Sequence, residues 1–198
     1  MDRLATIERK TKETEIFLSL GLDQCPNDNK IDSGVPFMDH MLDAFSRHGR
    51  FSLSIQVKGD LEVDDHHTLE DLGLALGQAL KNALGNKRGV TRFGMACVPL
   101  DETLARVVID LSGRPHLSWR ANFPETTVGG TSVRLYREFF QAMVNTSAMT
   151  VHVDLLACEE NHHGMEAIFK SFGRALRQAV NIDPALNGEI PSTKGMLE

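Results

Sequence analysis

Two stretches decide the fold: DDHHTLEDLGLALGQALKNAL (64–84) and ENHHGMEAIFKSFGRALRQAV (160–180). Each opens near an adjacent histidine pair and sets a glutamate three residues after the second histidine. In the first, Leu69, Leu72, Leu76, Ala79, Leu80 and Ala83 recur at three- and four-residue steps, which predicts a helix from His66 to Leu84. The second predicts a helix from His162 to Val180 in the same way. At an offset of 96, His66, His67, Glu70, Gly77, Ala79, Leu80 and Ala83 fall on His162, His163, Glu166, Gly173, Ala175, Leu176 and Ala179.

The match continues upstream at an offset of 98. Met41, Leu42, Ala44 and Phe45 meet Phe139, Phe140, Ala142 and Met143, and Leu53, Ile55 and Val57 meet Val151, Val153 and Leu155. The two-residue difference falls in the loop before each histidine pair, where length changes cost little. The pattern reads as an internal duplication of about 50 residues, in which each unit needs the other to bury its apolar face.

The remaining elements follow from local pattern. LATIER (4–9) and TEIFLSLGL (14–22) read as strands, Cys25–Gly34 as a loop, and Phe37 to about His48 as a helix opened by Pro36 and stopped by Gly49. FSLSIQVKG alternates with period two and reads as a strand. Residues 94–111 read as two strands around a turn at Pro99–Glu102. HLSWRANF is a strand, Val133–Asn145 a helix, Thr150–Leu156 a strand and GEIPSTKGMLE a loop. The expected fold is therefore α+β, with internally duplicated β-α-β-α halves. Residues 1–90 form the first half and 91–198 the second, in one compact chain.

The bulk numbers bound the function. The 41% hydrophobic and 24% charged content suits a water-soluble domain, and a net charge of −6 without a basic run argues against nucleic acid. The N-terminal stretch has no apolar signal region and no segment is long enough to span a bilayer. Cys25, Cys97 and Cys158 form no CxxC, which suggests a reducing compartment and a cytoplasmic address.

On a helix, residues four apart share a face. His66 and Glu70 can therefore reach one ion, while His67 points about 100° away and serves another. His162, Glu166 and His163 repeat this geometry. His40, on the preceding helix, adds an upstream ligand, and its repeat mate is Glu138. The set His40, His66, His67, Glu70, Glu138, His162, His163 and Glu166 divides into two sites of four. Imidazole and carboxylate without thiolate suit Mn²⁺, Fe²⁺ or Zn²⁺, and octahedral Mn²⁺ would keep two positions open. His48 closes the helix that carries His40 and can line the site; His116 and His152 have no repeat-related ligand partner.

PFMDHML (36–42), DDHHTLEDLG (64–73), RFGMACVPLDE (92–102), DLSGRP (110–115), NHHGMEAIFKSFGRALRQA (161–179) and PSTKG (191–195) together resemble the imidazoleglycerol-phosphate dehydratase family of histidine biosynthesis. The resemblance covers nearly the whole chain. It implies a duplicated fold like domain 2 of ribosomal protein S5, two Mn²⁺ ions per active site, and a homo-oligomer of 24 subunits with sites at subunit interfaces. The single-domain pattern is similar to the monofunctional type. Where many members have HFF this chain has EFF, at Glu138, and its early loop LDQCPNDNKIDSG is longer than the usual LDGTG form.

The resemblance also implies the chemistry: loss of water from imidazole glycerol phosphate to give imidazole acetol phosphate. Ions on the ring nitrogens would help the ring accept charge. Glu13 matches a substrate-contacting glutamate and is the acid–base candidate, with Glu166 sharing proton transfer. Arg92, Arg114, Lys170, Ser192, Thr193 and Lys194 match positions suited to the phosphate. A Zn²⁺ hydrolase is the less economical reading, since HExxH and cysteine ligands are missing. A metal store would not need the cation set.

Overall fold

The structure is a computed structural model that describes residues 3–24 and 29–197. Cys25 and the rest of 25–28, the first part of the loop read at 25–34, lie outside the described residues. The first half runs β1 (Leu4–Lys10), β2 (Thr14–Gly21), β3 (Lys30–Asp32), α1 (Pro36–Gly49), β4 (Ser52–Gly59) and α2 (His66–Leu84). The second runs β5 (Phe93–Leu100), β6 (Thr103–Asp110), β7 (His116–Arg120), a small hairpin of β8 (Thr127–Val128) and β9 (Thr131–Ser132), α3 (Val133–Ser147), β10 (Thr150–Ala157) and α4 (Asn161–Val180). A 3-10 turn at Pro184–Leu186 follows.

The two sheets have matching orders, β1-β2-β4-β3 and β5-β6-β10-β7. In each, the last strand lies parallel to its neighbour: Lys30–Asp32 along Ser54–Gln56, and His116–Arg120 along Thr150–Asp154. The loop expected at 25–34 thus contains a short strand, β3. Three residues are too few to show a period, and β3 exists only because β4 offers it an edge. HLSWRANF stops pairing at Arg120 for the same reason, at the end of its contact with β10. The hairpin β8–β9 and the 3-10 turn carry no apolar period.

Alternation decides which way each sheet faces. Ile16, Leu18 and Leu20 of β2 and Leu53, Ile55 and Val57 of β4 are buried, as are Ala105, Val107 and Ile109 of β6 with Val151 and Val153 of β10. All belong to one continuous apolar core. The helices fill the space between the sheets. α2 packs on the first sheet and α4 on the second, and the helices pair across the halves, α2 with α3 and α1 with α4.

Both pairs are parallel. Gly73 faces Phe139 and Ala142 while Gly77 faces Met143 and Thr146; Gly173 faces Phe45 and Gly49, and Phe37 meets the His162 ring. The glycines let the backbones touch: a Cβ on Gly77 would stand 2.4 Å from the Met143 carbonyl oxygen. Gly49 is not the helix stop that its position suggested. It is the last residue of α1, not the residue that breaks it; Arg50 adopts the left-handed conformation, φ 55°, matched by Ala148 at φ 54° after α3. Gly49 is small because its Cβ would lie 2.3 Å from the Phe51 ring.

The N-terminal ends of the helices are drawn together. Phe37 of α1 meets Tyr136 of α3 edge-on at 5.8 Å, the β8–β9 hairpin binds Asp65 through Thr131, and Asn161 donates to the carbonyls of Glu125 and Thr127. Both histidine pairs therefore sit at one end of the molecule. No helix among the described residues is long and apolar enough to cross a membrane.

Candidate metal centre

Each histidine pair sits in the first turn of its helix, where unpaired N–H groups need acceptors. Asp64 accepts from the His66 N–H at 2.8 Å, and Glu160 accepts from those of His162 and His163 at 2.8 and 2.9 Å. These backbone bonds hold the Glu160 carboxyl below the usual carboxylate range. These bonds cap the backbone of the first turns that carry the rings.

Three candidate ligands gather in the α1–α4 pair. The Oε2 atom of Glu166 lies 3.2 Å from His162 Nε2 and 3.4 Å from His40 Nε2, and all three ligand atoms lie within 4.8 Å of one another. Ligands at about 2.1 Å on adjacent corners of an ion's shell stand roughly 3 Å apart, so the donor set fits a divalent cation. Lys170 binds the other oxygen of Glu166 at 2.6 Å. Partial burial raises the Glu166 carboxyl, but Lys170 and then His40 outweigh it and hold the group below its ordinary range. Glu166 is thus kept as a carboxylate with one oxygen aimed at the imidazoles. His48 lies farther along α1; burial, then the charges of Lys170 and Arg174, push its pKa down.

The α2–α3 pair is less complete. His66 Nε2 lies 3.3 Å from Glu70 Oε2, as expected for residues four apart. Glu138 is half-buried on α3 and accepts from Arg137 at 3.3 Å. Among the described residues it forms no three-ligand group with His66 and Glu70.

The second histidines point elsewhere, as the helical period requires. His67 and His66 stand 6.1 Å apart at 73°, and His163 and His162 6.2 Å apart at 87°. His67 Nδ1 approaches Asp60 at 3.0 Å, and its Nε2 is 3.8 Å from Glu13. His163 Nδ1 lies 3.1 Å from Glu102. Those hydrogen bonds raise both imidazoles above their ordinary range. Asp60 and Glu102 escaped the sequence reading. The signal for Glu102 was present: Glu13-Thr14 and Glu102-Thr103 are the same dipeptide at the start of β2 and of β6.

The cation set lies at the far end. The Arg92 N–H donates to the Ala179 carbonyl at the C-terminal end of α4. From His163 to Ala179 the helix rises about 24 Å, at 1.5 Å per residue. The Arg92 guanidinium binds Asp110 at 2.7 Å and the Pro191 carbonyl at 2.8 Å, tying down the tail that carries Ser192, Thr193 and Lys194. Arg114 is exposed nearby, its carbonyl accepting from Thr150 at the start of β10. Lys170, bound to Glu166, is the one cation of the expected set at the end that carries the histidine pairs. The rings of His116 and His152 stand 5.8 Å apart, tilted at 49°, on paired strands of the second sheet.

A model of the imidazoleglycerol-phosphate dehydratase family matches residues 33–176. The chain is 54% identical over 195 residues to the enzyme of that name from Nitrosomonas eutropha, covering 98% of this chain and all of the relative. It is 52% identical over 197 residues to that of Geobacter metallireducens, covering all of both. Among solved structures, the dehydratase of Staphylococcus aureus superimposes with a TM-score of 0.82 at 40% identity, over 91% of this chain and 99% of that one. The Pyrococcus furiosus protein gives 0.84 at 34% identity, over 96% and 100%.

Proposed function

The chain belongs to the imidazoleglycerol-phosphate dehydratase family, hydro-lyases of histidine biosynthesis, and on that premise we propose how its residues act. It converts imidazole glycerol phosphate to imidazole acetol phosphate and water. It does so in the cytoplasm, with two Mn²⁺ ions per active site, in a homo-oligomer of 24 subunits whose sites are completed between chains.

One observation supports the shared site. Apart from Lys170, the phosphate-suited residues Arg92, Arg114, Ser192, Thr193 and Lys194 lie at the opposite end of α4 from the histidine pairs, about 24 Å away along its axis. The three-carbon phosphate arm of the substrate, five bonds of roughly 1.5 Å, reaches no farther than about 8 Å. The ring and phosphate of one substrate therefore need the two ends of different chains. The ligand inventory agrees: one chain gathers three ligands at Glu166 and two at Glu70, and directs its second histidines away from both.

The ions would be held by His40, His66, His67, Glu70, Glu138, His162, His163 and Glu166. When bound they would supply Lewis-acid charge that favours the deprotonated imidazole ring, whose electrons can then assist departure of the hydroxyl on the carbon attached to it. Glu13, exposed at the metal end, takes the proton from the second carbon of the arm, one bond farther from the ring, and the C–H electron pair forms the C=C bond. Its carboxyl, now protonated, delivers the proton to the hydroxyl on the carbon attached to the ring, and that C–O bond breaks. One C–H proton and one hydroxide leave as water, and the enol rearranges to the ketone. Lys170 keeps Glu166 ionised, which suits a ligand and proton acceptor better than an acid. Arg114, Ser192, Thr193 and Lys194 of another chain bind the phosphate, and Arg92 holds their loop. His48 lines the wall between α1 and α4.

The test is dehydration of imidazole glycerol phosphate by metal-free and Mn²⁺-loaded protein. Turnover is expected in the loaded protein alone. Loaded protein that leaves the substrate intact would sink the reading.

A further inference from the structure

The second histidine of each pair uses the same ring atom in the same way. His67 Nδ1 lies 3.0 and 3.2 Å from the two Asp60 oxygens, and His163 Nδ1 lies 3.1 Å from each Glu102 oxygen. An acceptor at Nδ1 keeps the ring proton there and leaves the Nε2 lone pair facing outward, the tautomer an ion requires. Nε2 is also the atom that His40, His66 and His162 turn to their carboxylates. Nε2 is thus the outward face of all five rings.

The two orienting carboxylates come from different places in the repeat. Glu102 sits in the β5–β6 turn, and its mate is Glu13 in the β1–β2 turn: each precedes a threonine, Thr103 or Thr14, that is buried at the start of its strand. Symmetry alone would therefore put Glu13 on His67 Nδ1. Asp60, just past the end of β4, occupies that position instead. At the offset of 98 the residue matching Asp60 is Cys158, whose thiol donates to the Glu160 carbonyl and offers no carboxylate. In the second half the turn glutamate is consequently committed to the histidine. In the first it is displaced, standing 3.8 Å from His67 Nε2 with its side chain 53% exposed.

We propose that Asp60 and Glu102 are positioning residues that fix the tautomers of His67 and His163, and that Asp60 thereby releases Glu13, the repeat mate of Glu102, for proton transfer. The inference rests on the metal reading above and divides three similar carboxylates into two jobs.

Mn²⁺ binding to the full chain, followed by the electron paramagnetic resonance of the free ion, separates those jobs. Asp60→Asn and Glu102→Gln should each weaken one of the two ions by about 10- to 100-fold, as loss of an outer-shell partner does. Both variants should still fill both ions at saturation and melt, metal-free, at the wild-type temperature. Glu13→Gln should bind both ions with wild-type affinity and lose turnover. Unchanged affinity in Asp60→Asn and Glu102→Gln overturns the proposal. So does failure to fill both ions at saturation, which would make the residue a direct ligand, or metal loss in Glu13→Gln. Wild-type chain that takes up no Mn²⁺ overturns the metal reading beneath it, a result distinct from these.

Discussion

If an active site combines Glu13 of one chain with Arg114 of another, two inactive variants should restore each other. Glu13→Gln removes the proposed proton acceptor beside His67, and Arg114→Ala removes a cation beyond the far end of α4. Each chain of a mixed assembly then carries one defect. If both residues had to come from the same chain, no site could be intact at any mixing ratio. If they come from two chains, random assembly of equal amounts leaves the right residue at each position half the time. About one quarter of the sites are then whole. The about 24 Å rise of α4 against a substrate reach of about 8 Å selects the second case. The assay is turnover after dissociation, mixing and reassembly of the two purified variants, with each variant taken alone through the same cycle. Recovery near one quarter of the wild-type rate is expected. Activity no greater than the sum of the separate variants would refute the reasoning, provided both assemble with wild-type chain.

Two further outcomes test the frame that carries the site. Alanine at Gly77 should favour a helix by about 1 kcal/mol on propensity alone. Its Cβ would instead stand 2.0 Å from Thr146 Oγ1 and 2.4 Å from the Met143 carbonyl oxygen, so Gly77→Ala should destabilise by about 1–3 kcal/mol in thermal or urea unfolding; a stabilised variant would contradict the close α2–α3 contact. Asp154 is buried and bound by Arg120 and Arg106 at 2.5 and 2.9 Å. Burial raises its carboxyl, but the two guanidinium groups more than offset this and hold it below the ordinary range. A lowered folded pKa contributes stability above the unfolded value, near 3.9, that is lost as pH falls through the folded one. Asp154→Asn should therefore cost about 1 kcal/mol at pH 7, the partners being half-exposed, and the difference should shrink below about pH 4. A cost independent of pH would show that the ion pair is not its source.

Much of the centre was legible without coordinates because helical spacing is a local property. His66 with Glu70, and His162 with Glu166, are four residues apart and had to share a face. His67 and His163 had to turn away. His40 could be attached only through the duplication, and it does reach Glu166. Glu138, attached by the same argument, is placed by the structure on Arg137. Repeat alignment fixes a backbone position; it does not fix where a longer, more flexible side chain points. Asp60 and Glu102 were missed because they lie in turns, where no period marks which residue faces inward.

The sequence by itself determined the repeat, its helices and most of its strands, since apolar periodicity records which face of each element is buried. It also determined the kind of donor at each histidine pair. Only the tertiary structure decided that α1 packs on α4 and α2 on α3, in parallel, because that choice depends on glycine contacts between segments far apart in the chain. That parallel packing brings both histidine pairs to one end and leaves the Arg92–Lys194 region at the other. No spacing rule contains this separation, since it is the length of a whole helix, set by how the halves are stacked.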